Sequence, residues 1–163
     1  MNRVRQRRDP NPSERRFALA VSYAARRPWV PQRADFVRWA VAALPAAGPP
    51  IDLSIRVVGS VASRRLNEHY RGKPKPTNVL SFVGAGRTPD ERWDLGELVI
   101  CAPLVAQEAR AARRPIRAHW AHLTVHGVLH LRGFDHERDR DARRLTAREV
   151  QILDRIGFSD PYR

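Results

Sequence analysis

The spacing of apolar residues along the chain predicts four strands and five helices. Residues 51–57 alternate apolar and polar side chains, which is the period of a half-buried strand. Shorter apolar runs predict three more strands, at residues 17–25, 79–83 and 95–101. Helical spacing predicts helices at about 33–44, 60–70, 103–114 and 116–132, and in the segment after His136. The order βαβαββααα indicates an α+β fold, a small mixed β-sheet packed with helices.

The same pattern indicates which parts of the elements face the interior. The helix at 116–132 is apolar on most of its faces, so we expect it to be central. On the second helix we place Val61, Leu66 and Tyr70 toward the core. Residues 84–94 are rich in glycine and charge, and they are expected to form a flexible connection.

Length and composition favour one domain. At 163 residues the chain can bury one core and is short for two. Residues 1–16 are arginine-rich and nearly free of apolar side chains, so we expect a disordered basic arm before a single domain at 17–163. Cys101 has no second cysteine to pair with, which favours a reducing, cytoplasmic location.

The charge of the chain predicts a polyanionic partner. The formal net charge is +13, and Lys73 and Lys75 are the only lysines among the basic residues. Guanidinium groups match phosphate oxygens well, so nucleic acid is the default partner. Coding bias and solubility are an equally weighted explanation for scattered surface arginines. No apolar run approaches the ~20 residues of a membrane span, so no membrane partner is expected.

The stretch HGVLHLRGFDH, residues 126–136, predicts a catalytic metal site. His126 and His130 lie one helical turn apart on one face. Gly133 can end the helix in a left-handed conformation and return His136 to the same point. His122 and His126 have the same spacing, but a ligand returning from the helix end reaches the later pair first. We therefore predict His126, His130 and His136 as ligands, with a fourth position open for water.

The ion and its chemistry are less defined than the ligands. One zinc ion is expected, although three imidazoles also accept nickel, cobalt or copper. The spacing HxxxHxxGxxH is shared with metzincin peptidases, which carry a glutamate base after the first histidine. This chain has Gly127 there, so a peptidase would lack its base. A glycine in a helix costs about 1 kcal/mol relative to alanine. Either the close approach of another chain or a substrate, or a plain packing contact, can explain it.

Several motifs together resemble the YbeY family of bacterial metal-dependent endoribonucleases. They are HGVLHLRGFDH, the upstream HWAH, YRGKPKPTNVLSF, GELVIC and the closing GFSDPY. The resemblance covers about residues 50–163, and the family more often has aspartate where this chain has Glu97. It implies an α+β sandwich and a single-strand-specific endoribonuclease acting in maturation of the 16S ribosomal RNA 3′ end and in ribosome quality control. The implied partners are small-subunit ribosomal RNA and ribosome-associated proteins.

The resemblance also assigns site residues. Its ligands fall on the three histidines already predicted, and its functional arginine falls on Arg71. A guanidinium near the metal can clamp a phosphate and stabilise charge on its oxygens. Lys73 and Lys75 are expected to bind the RNA backbone. Asp135 and Glu97 are candidates for a second shell that orients an imidazole, or for a base.

Three classes of function follow from these observations. The leading hypothesis is hydrolysis of an RNA phosphodiester by a metal-activated water, which needs no carboxylate neighbour. Transesterification through the ribose 2′-OH is the alternative chemistry. A metallopeptidase and a non-catalytic RNA-binding protein with a structural metal are the competing classes, and Gly127 counts against the first of these.

Overall fold

The computed structural model describes residues 16–134 and 139–163. Its strands are β1 Phe17–Tyr23, β2 Ile51–Val58, β3 Val79–Arg87 and β4 Trp93–Cys101. Its helices are α1 Arg33–Ala43, α2 Ser60–Arg71, α3 Ala102–Ala111, α4 Ile116–Leu131 and α5 Asp139–Arg155. The predicted order and the α+β class are confirmed. The predicted arm, apart from Arg16, lies outside the described residues.

The four strands form one mixed sheet in the order β1-β2-β4-β3. The β1/β2 and β2/β4 pairs are parallel, and each needs a crossover connection, which α1 and α2 provide. The β3/β4 pair is antiparallel. Ile55 is in register with Leu98, and Leu98 with Ser81, so these residues share one face of the sheet.

The two faces of the sheet are covered differently. The face that carries Ile55 and Leu98 packs into the main hydrophobic core with α1, α4 and α5. The opposite face carries a smaller apolar cluster of Val58, Leu80 and Val99, against which Leu66 of α2 packs. In the described part of the chain, no helix is both long and apolar enough to cross a bilayer.

Helix α4 is central, as predicted. It contacts α1, α3, α5, β3 and β4. Gly127 faces β4, where a Cβ atom would lie 2.7 Å from Cδ2 of the fully buried Leu98. Glycine therefore lets the helix approach the sheet closely. The contact with Leu98 supports the packing explanation for Gly127.

Two expectations about the interior were wrong. Residues 84–94 are not a flexible connection: they extend β3 and β4 into a hairpin whose turn is closed by the Thr88 amide bonding the Arg92 carbonyl at 2.9 Å. Val61 and Tyr70 are mostly exposed, at 67% and 60%. Leu66 does pack inward, but the two buried residues of α2 are the polar Ser63 and Asn67, which bond the following loop.

Candidate functional site

A cavity of about 400 Å³ lies between the end of α4, strand β3 and the loop that follows α2. We call it the α4 cavity. Its lining includes Arg71, His126 and His130, which the sequence analysis selected separately. The rest of the lining is Thr77, Asn78, Val79, Ser81, Val83, Gly133 and Phe134. His136 and Asp135, the other predicted residues of this region, lie outside the described residues.

Helix α4 presents two of its four histidines to the cavity side by side. The rings of His126 and His130 have centroids 4.4 Å apart, and both side chains are half-buried. The helix ends at Leu131, and Gly133 has a φ of +89°, which an L side chain rarely adopts. The Phe134 amide returns to the Leu129 carbonyl at 3.0 Å, a closure typical of a helix ended by a left-handed residue. The predicted glycine turn is therefore present.

The loop after α2 is held by side chains of that helix. Gly72 ends α2 in a left-handed conformation, with φ +66°. Ser63 Oγ donates to the Thr77 carbonyl at 2.8 Å and accepts from the Thr77 amide at 3.0 Å. Asn67 Nδ2 donates to the Lys75 carbonyl at 2.8 Å. These bonds fix the loop beside the cavity.

The charged residues of this region occupy different places. Arg71 reaches the cavity lining from the end of α2. Lys73 and Lys75 are exposed on the loop surface and are not among the lining residues. Glu97 pairs with Arg56 at 3.1 Å. It alternates with Leu98 along β4, so it lies on the sheet face away from α4 and is not brought to the histidines.

A partly buried polar chain connects the loop to α4. Asn78 Nδ2 donates to both carboxylate oxygens of Glu108, at 3.1 and 3.2 Å, while Asn78 Oδ1 accepts from the Val79 amide at 2.7 Å. The other partner of Glu108 is His119 Nε2, at 2.7 Å. Burial alone would raise the pKa of Glu108, but the hydrogen bonds from His119 and Asn78 outweigh burial and lower it. One wall of the cavity is thereby tied to the first turn of the central helix.

A second carboxylate, that of the fully buried Glu149 of α5, contacts the site from behind. Its Oε1 is hydrogen-bonded to Nδ1 of His126, and its Oε2 accepts from the hydroxyl of Tyr162. His122 Nε2 is 3.4 Å from the same Oε2. Burial would raise the pKa of Glu149, but the bonds from His122, His126 and Tyr162 lower it to about 2. Burial and the bond to Glu149 raise the pKa of Tyr162 well above its usual range.

Sequence reasoning missed Glu149, although the chain contains a signal for it. Glu149 lies four residues after Leu145 and four before Leu153, and all three are buried on one side of α5. A carboxylate on the apolar stripe of an otherwise amphipathic helix needs partners, because an unpaired buried charge is costly. What the sequence could not give was the identity of those partners.

Two sets of metal ligands are compatible with this geometry. His126 and His130 belong to the predicted set, whose third member lies outside the described residues. Within the described residues, His122, His126 and Glu149 form a second set, with one ligand atom from each lying within 4.8 Å of the others. His122, which the sequence analysis excluded, is thus again a candidate. The Glu149 contact to Nδ1 leaves Nε2 of His126 for a ligand in the first set.

Comparisons with known proteins agree with one another. The family model described as Endoribonuclease YbeY matches residues 32–157. Two relatives named Endoribonuclease YbeY, from Stenotrophomonas maltophilia strains K279a and R551-3, are 48% and 47% identical over 151 residues, covering 90% of this chain and 94% of theirs. A solution structure from Thermotoga maritima has a similar fold, with a TM-score of 0.50 at 17% identity, covering 90% of this chain and 99% of that one.

Proposed function

The chain belongs to the YbeY endoribonuclease family, and from this we propose that it is a metal-dependent endoribonuclease that hydrolyses phosphodiester bonds of single-stranded RNA. The observation that carries the proposal is the convergence of Arg71, His126 and His130 on one cavity. We propose that the protein's substrate is ribosomal RNA of the small subunit, and that it acts in maturation of the 16S 3′ end and in ribosome quality control. The proposal also includes ribosome-associated partners, a cytoplasmic location and a single catalytic domain at 17–163.

The donor set of the cavity fits a divalent transition metal. Imidazole nitrogens are ligands for zinc, nickel and related ions, and two imidazoles lie side by side at the cavity. The bond between Glu149 and His126 is the kind of carboxylate contact that metal-ligating histidines usually make. We propose His126, His130 and His136 as the ligands of one ion, zinc in the first instance. When bound, a divalent ion supplies a lowered pKa for water and positive charge for phosphate oxygens.

The protein's own groups would bind and orient the RNA. Arg71, which lines the cavity, would hold a phosphate through a bidentate contact and so stabilise charge developing on the oxygens. Lys73 and Lys75, exposed beside the cavity, would attract the neighbouring phosphates. We do not extend the proposal to Glu97, which faces away from the histidines. Asp135 keeps its proposed place near the ligands as a residue that orients an imidazole or acts as a base.

The decisive experiment combines metal analysis with a ribonuclease assay. Wild type, His130→Ala and Arg71→Ala are purified in parallel, with His69→Ala and Arg64→Ala as matched controls, because both control side chains are exposed on α2 outside the cavity. His130→Ala should lose both metal and RNA cleavage. Arg71→Ala should keep its metal and lose cleavage, by about 10²-fold or more if it stabilises charge in the transition state.

Contrary results are easily recognised. RNA cleavage that survives in His130→Ala after the metal is lost would refute a catalytic metal. Normal cleavage by Arg71→Ala would refute the phosphate clamp.

The ligand set and the chemistry need two further measurements. Metal content of His136→Ala and His122→Ala separates the two sets, and we expect loss in the first and retention in the second. A 2′-deoxy substitution at the scissile nucleotide separates hydrolysis by water, which tolerates it, from transesterification, which requires the 2′-OH. We expect the deoxy substrate to be cleaved.

A further inference from the structure

We propose that Glu149 is a positioning residue for His126: its carboxylate holds the imidazole in the tautomer protonated at Nδ1, leaving Nε2 for the metal. The inference deepens the proposed function, since it takes His126 to be a ligand. It rests on the hydrogen bonds that meet at the buried carboxylate of Glu149.

The tautomer follows from the chemistry of the two partners. An ionised carboxylate only accepts hydrogen bonds, so the Nδ1 that contacts Glu149 Oε1 must carry the proton. A neutral imidazole has one proton, and its other nitrogen is then a free lone pair. His126 lines the α4 cavity, and Nε2 is the nitrogen that remains for a ligand there. The hydrogen bond also holds the ring against rotation about its Cβ–Cγ bond.

The position of Glu149 makes this contact rigid. The side chain has no exposed surface, and it extends from the apolar stripe of α5 between Leu145 and Leu153. A carboxylate in such a place is stable only when its oxygens are bonded. Its second oxygen is occupied by Tyr162 and His122, so the carboxylate is held from the side opposite to His126.

Tyr162 is itself anchored, which extends the arrangement to the GFSDPY segment. The Tyr162 amide bonds Asp160 Oδ1 at 2.8 Å, and the guanidinium of Arg114 donates to the carbonyl of Pro161. The Tyr162 ring lies edge-on to that of His122, with centroids 5.4 Å apart. The second histidine of HWAH, His122, and the tyrosine of GFSDPY, Tyr162, thus contact the same carboxylate.

A different assignment would make Glu149 a ligand with His122 and His126, whose ligand atoms are equally close. Two features favour positioning. Both oxygens of Glu149 are already engaged by protein donors, and the carboxylate is completely buried, whereas His126 and His130 border an open cavity. The two assignments predict different outcomes when the charge of Glu149 is removed.

The test uses the full chain with Glu149→Gln and Glu149→Leu, and Glu108→Gln as the matched control. Glu108 also bonds a histidine of α4, but that histidine is His119. Long-range proton–nitrogen NMR spectra of the metal-stripped protein report the tautomer of His126, assigned with His126→Gln. Competition with a chelator reports zinc affinity, and circular dichroism verifies that each variant is folded.

We expect wild type and Glu108→Gln to show His126 protonated at Nδ1 and to bind zinc equally. Glu149→Leu should lose the Nδ1 tautomer. Glu149→Gln should weaken zinc binding about 10- to 100-fold, the usual effect of losing a carboxylate behind a ligating histidine. Its RNA cleavage should return at saturating zinc. If Glu149→Leu does not fold, the zinc affinity of Glu149→Gln decides the outcome.

Two results would overturn the inference. An unchanged tautomer and zinc affinity in Glu149→Gln would show that Glu149 does not position His126. Complete loss of zinc at saturating concentration, with the fold intact, would make Glu149 a ligand instead. A wild-type protein that binds no metal would refute the proposed function, and the tautomer in the metal-free protein would then decide the hydrogen-bond claim alone.

Discussion

The contact between Gly127 and Leu98 makes a quantitative prediction about how closely α4 lies on the sheet. In Gly127→Ala the added Cβ would lie 2.7 Å from Cδ2 of Leu98, which is closer than real Cβ atoms approach a neighbour, and 3.0 Å from Cδ1, which is tight. Leu98 is fully buried, so it cannot move into solvent. Either the leucine leaves its rotamer or α4 shifts away from β4.

Two opposing contributions set the change in the free energy of unfolding in Gly127→Ala. Alanine is favoured over glycine in a helix interior by about 1 kcal/mol. Overpacking a well-packed core costs about 1–3 kcal/mol. We therefore expect Gly127→Ala to lower the free energy of unfolding by about 0–2 kcal/mol, whereas helix propensity alone predicts an increase.

Leu98→Val gives the background that isolates the contact. Valine has no δ carbons, and the next atom of the leucine, Cγ, lies at an ordinary 3.4 Å from the added Cβ. In that background Gly127→Ala should stabilise the protein by about 1 kcal/mol. Urea unfolding of wild type, both single variants and the double variant measures the coupling, expected at about 1–3 kcal/mol. Equal effects of Gly127→Ala in both backgrounds would refute the close-approach explanation.

Two other hydrogen-bonded positions give further predictions. Ser63→Ala should lower the free energy of unfolding by about 1–3 kcal/mol, because Thr77 loses both of its bonds to the buried Ser63. The control Ser60→Ala, at an exposed position of the same helix, should change it by no more than about 0.5 kcal/mol. Equal urea midpoints for the two variants would contradict this prediction. Glu108→Gln should cost about 1 kcal/mol at pH 7. Because folding lowers the pKa of Glu108 from 4.5, the loss of stability in Glu108→Gln should be complete above pH 4.5 and should shrink as the pH falls below that value. A loss of stability that does not depend on pH would show that the charge of the carboxylate does not stabilise the fold.

Local pattern was sufficient for most of the fold. Alternation in β2 and helical spacing in α4 are properties of short windows, so the element order and the central helix could be read from them. The β3/β4 hairpin was missed because its glycines and charges resemble a loop. At Gly96, φ is +125° and an added Cβ would lie 2.0 Å from the Phe82 carbonyl oxygen, so this strand position requires glycine. Composition does not reveal such a close backbone approach.

The site was partly readable for the same reason. His126, His130 and the Gly133 turn are neighbours in sequence, so spacing predicted their geometry. Arg71 was reached through family resemblance, because nothing local separates it from other surface arginines. Glu149 meets His126 across 23 residues of sequence, and Tyr162 meets Glu149 across 13, and both contacts arise from tertiary packing. No periodicity encodes such a contact.

The prediction that Val61 and Tyr70 of α2 face the core was wrong for a physical reason. Val61 and Tyr70 are apolar and exposed, whereas the buried positions hold Ser63 and Asn67. Hydrophobic spacing assumes that an inner face is apolar, but this one binds backbone groups of a loop. The signal for such a face is short polar residues four apart, followed by prolines that cannot form a ladder of their own.

The bonds from Ser63 and Asn67 to the loop after α2 have a consequence for the entropy of binding. A loop that must order when RNA arrives loses conformational freedom, at about 1–2 kcal/mol per residue fixed. Here that cost is met during folding, so the backbone that carries the two lysines is already in place. The entropy lost on association then comes chiefly from ordering the RNA strand, so a more flexible RNA strand should bind more weakly.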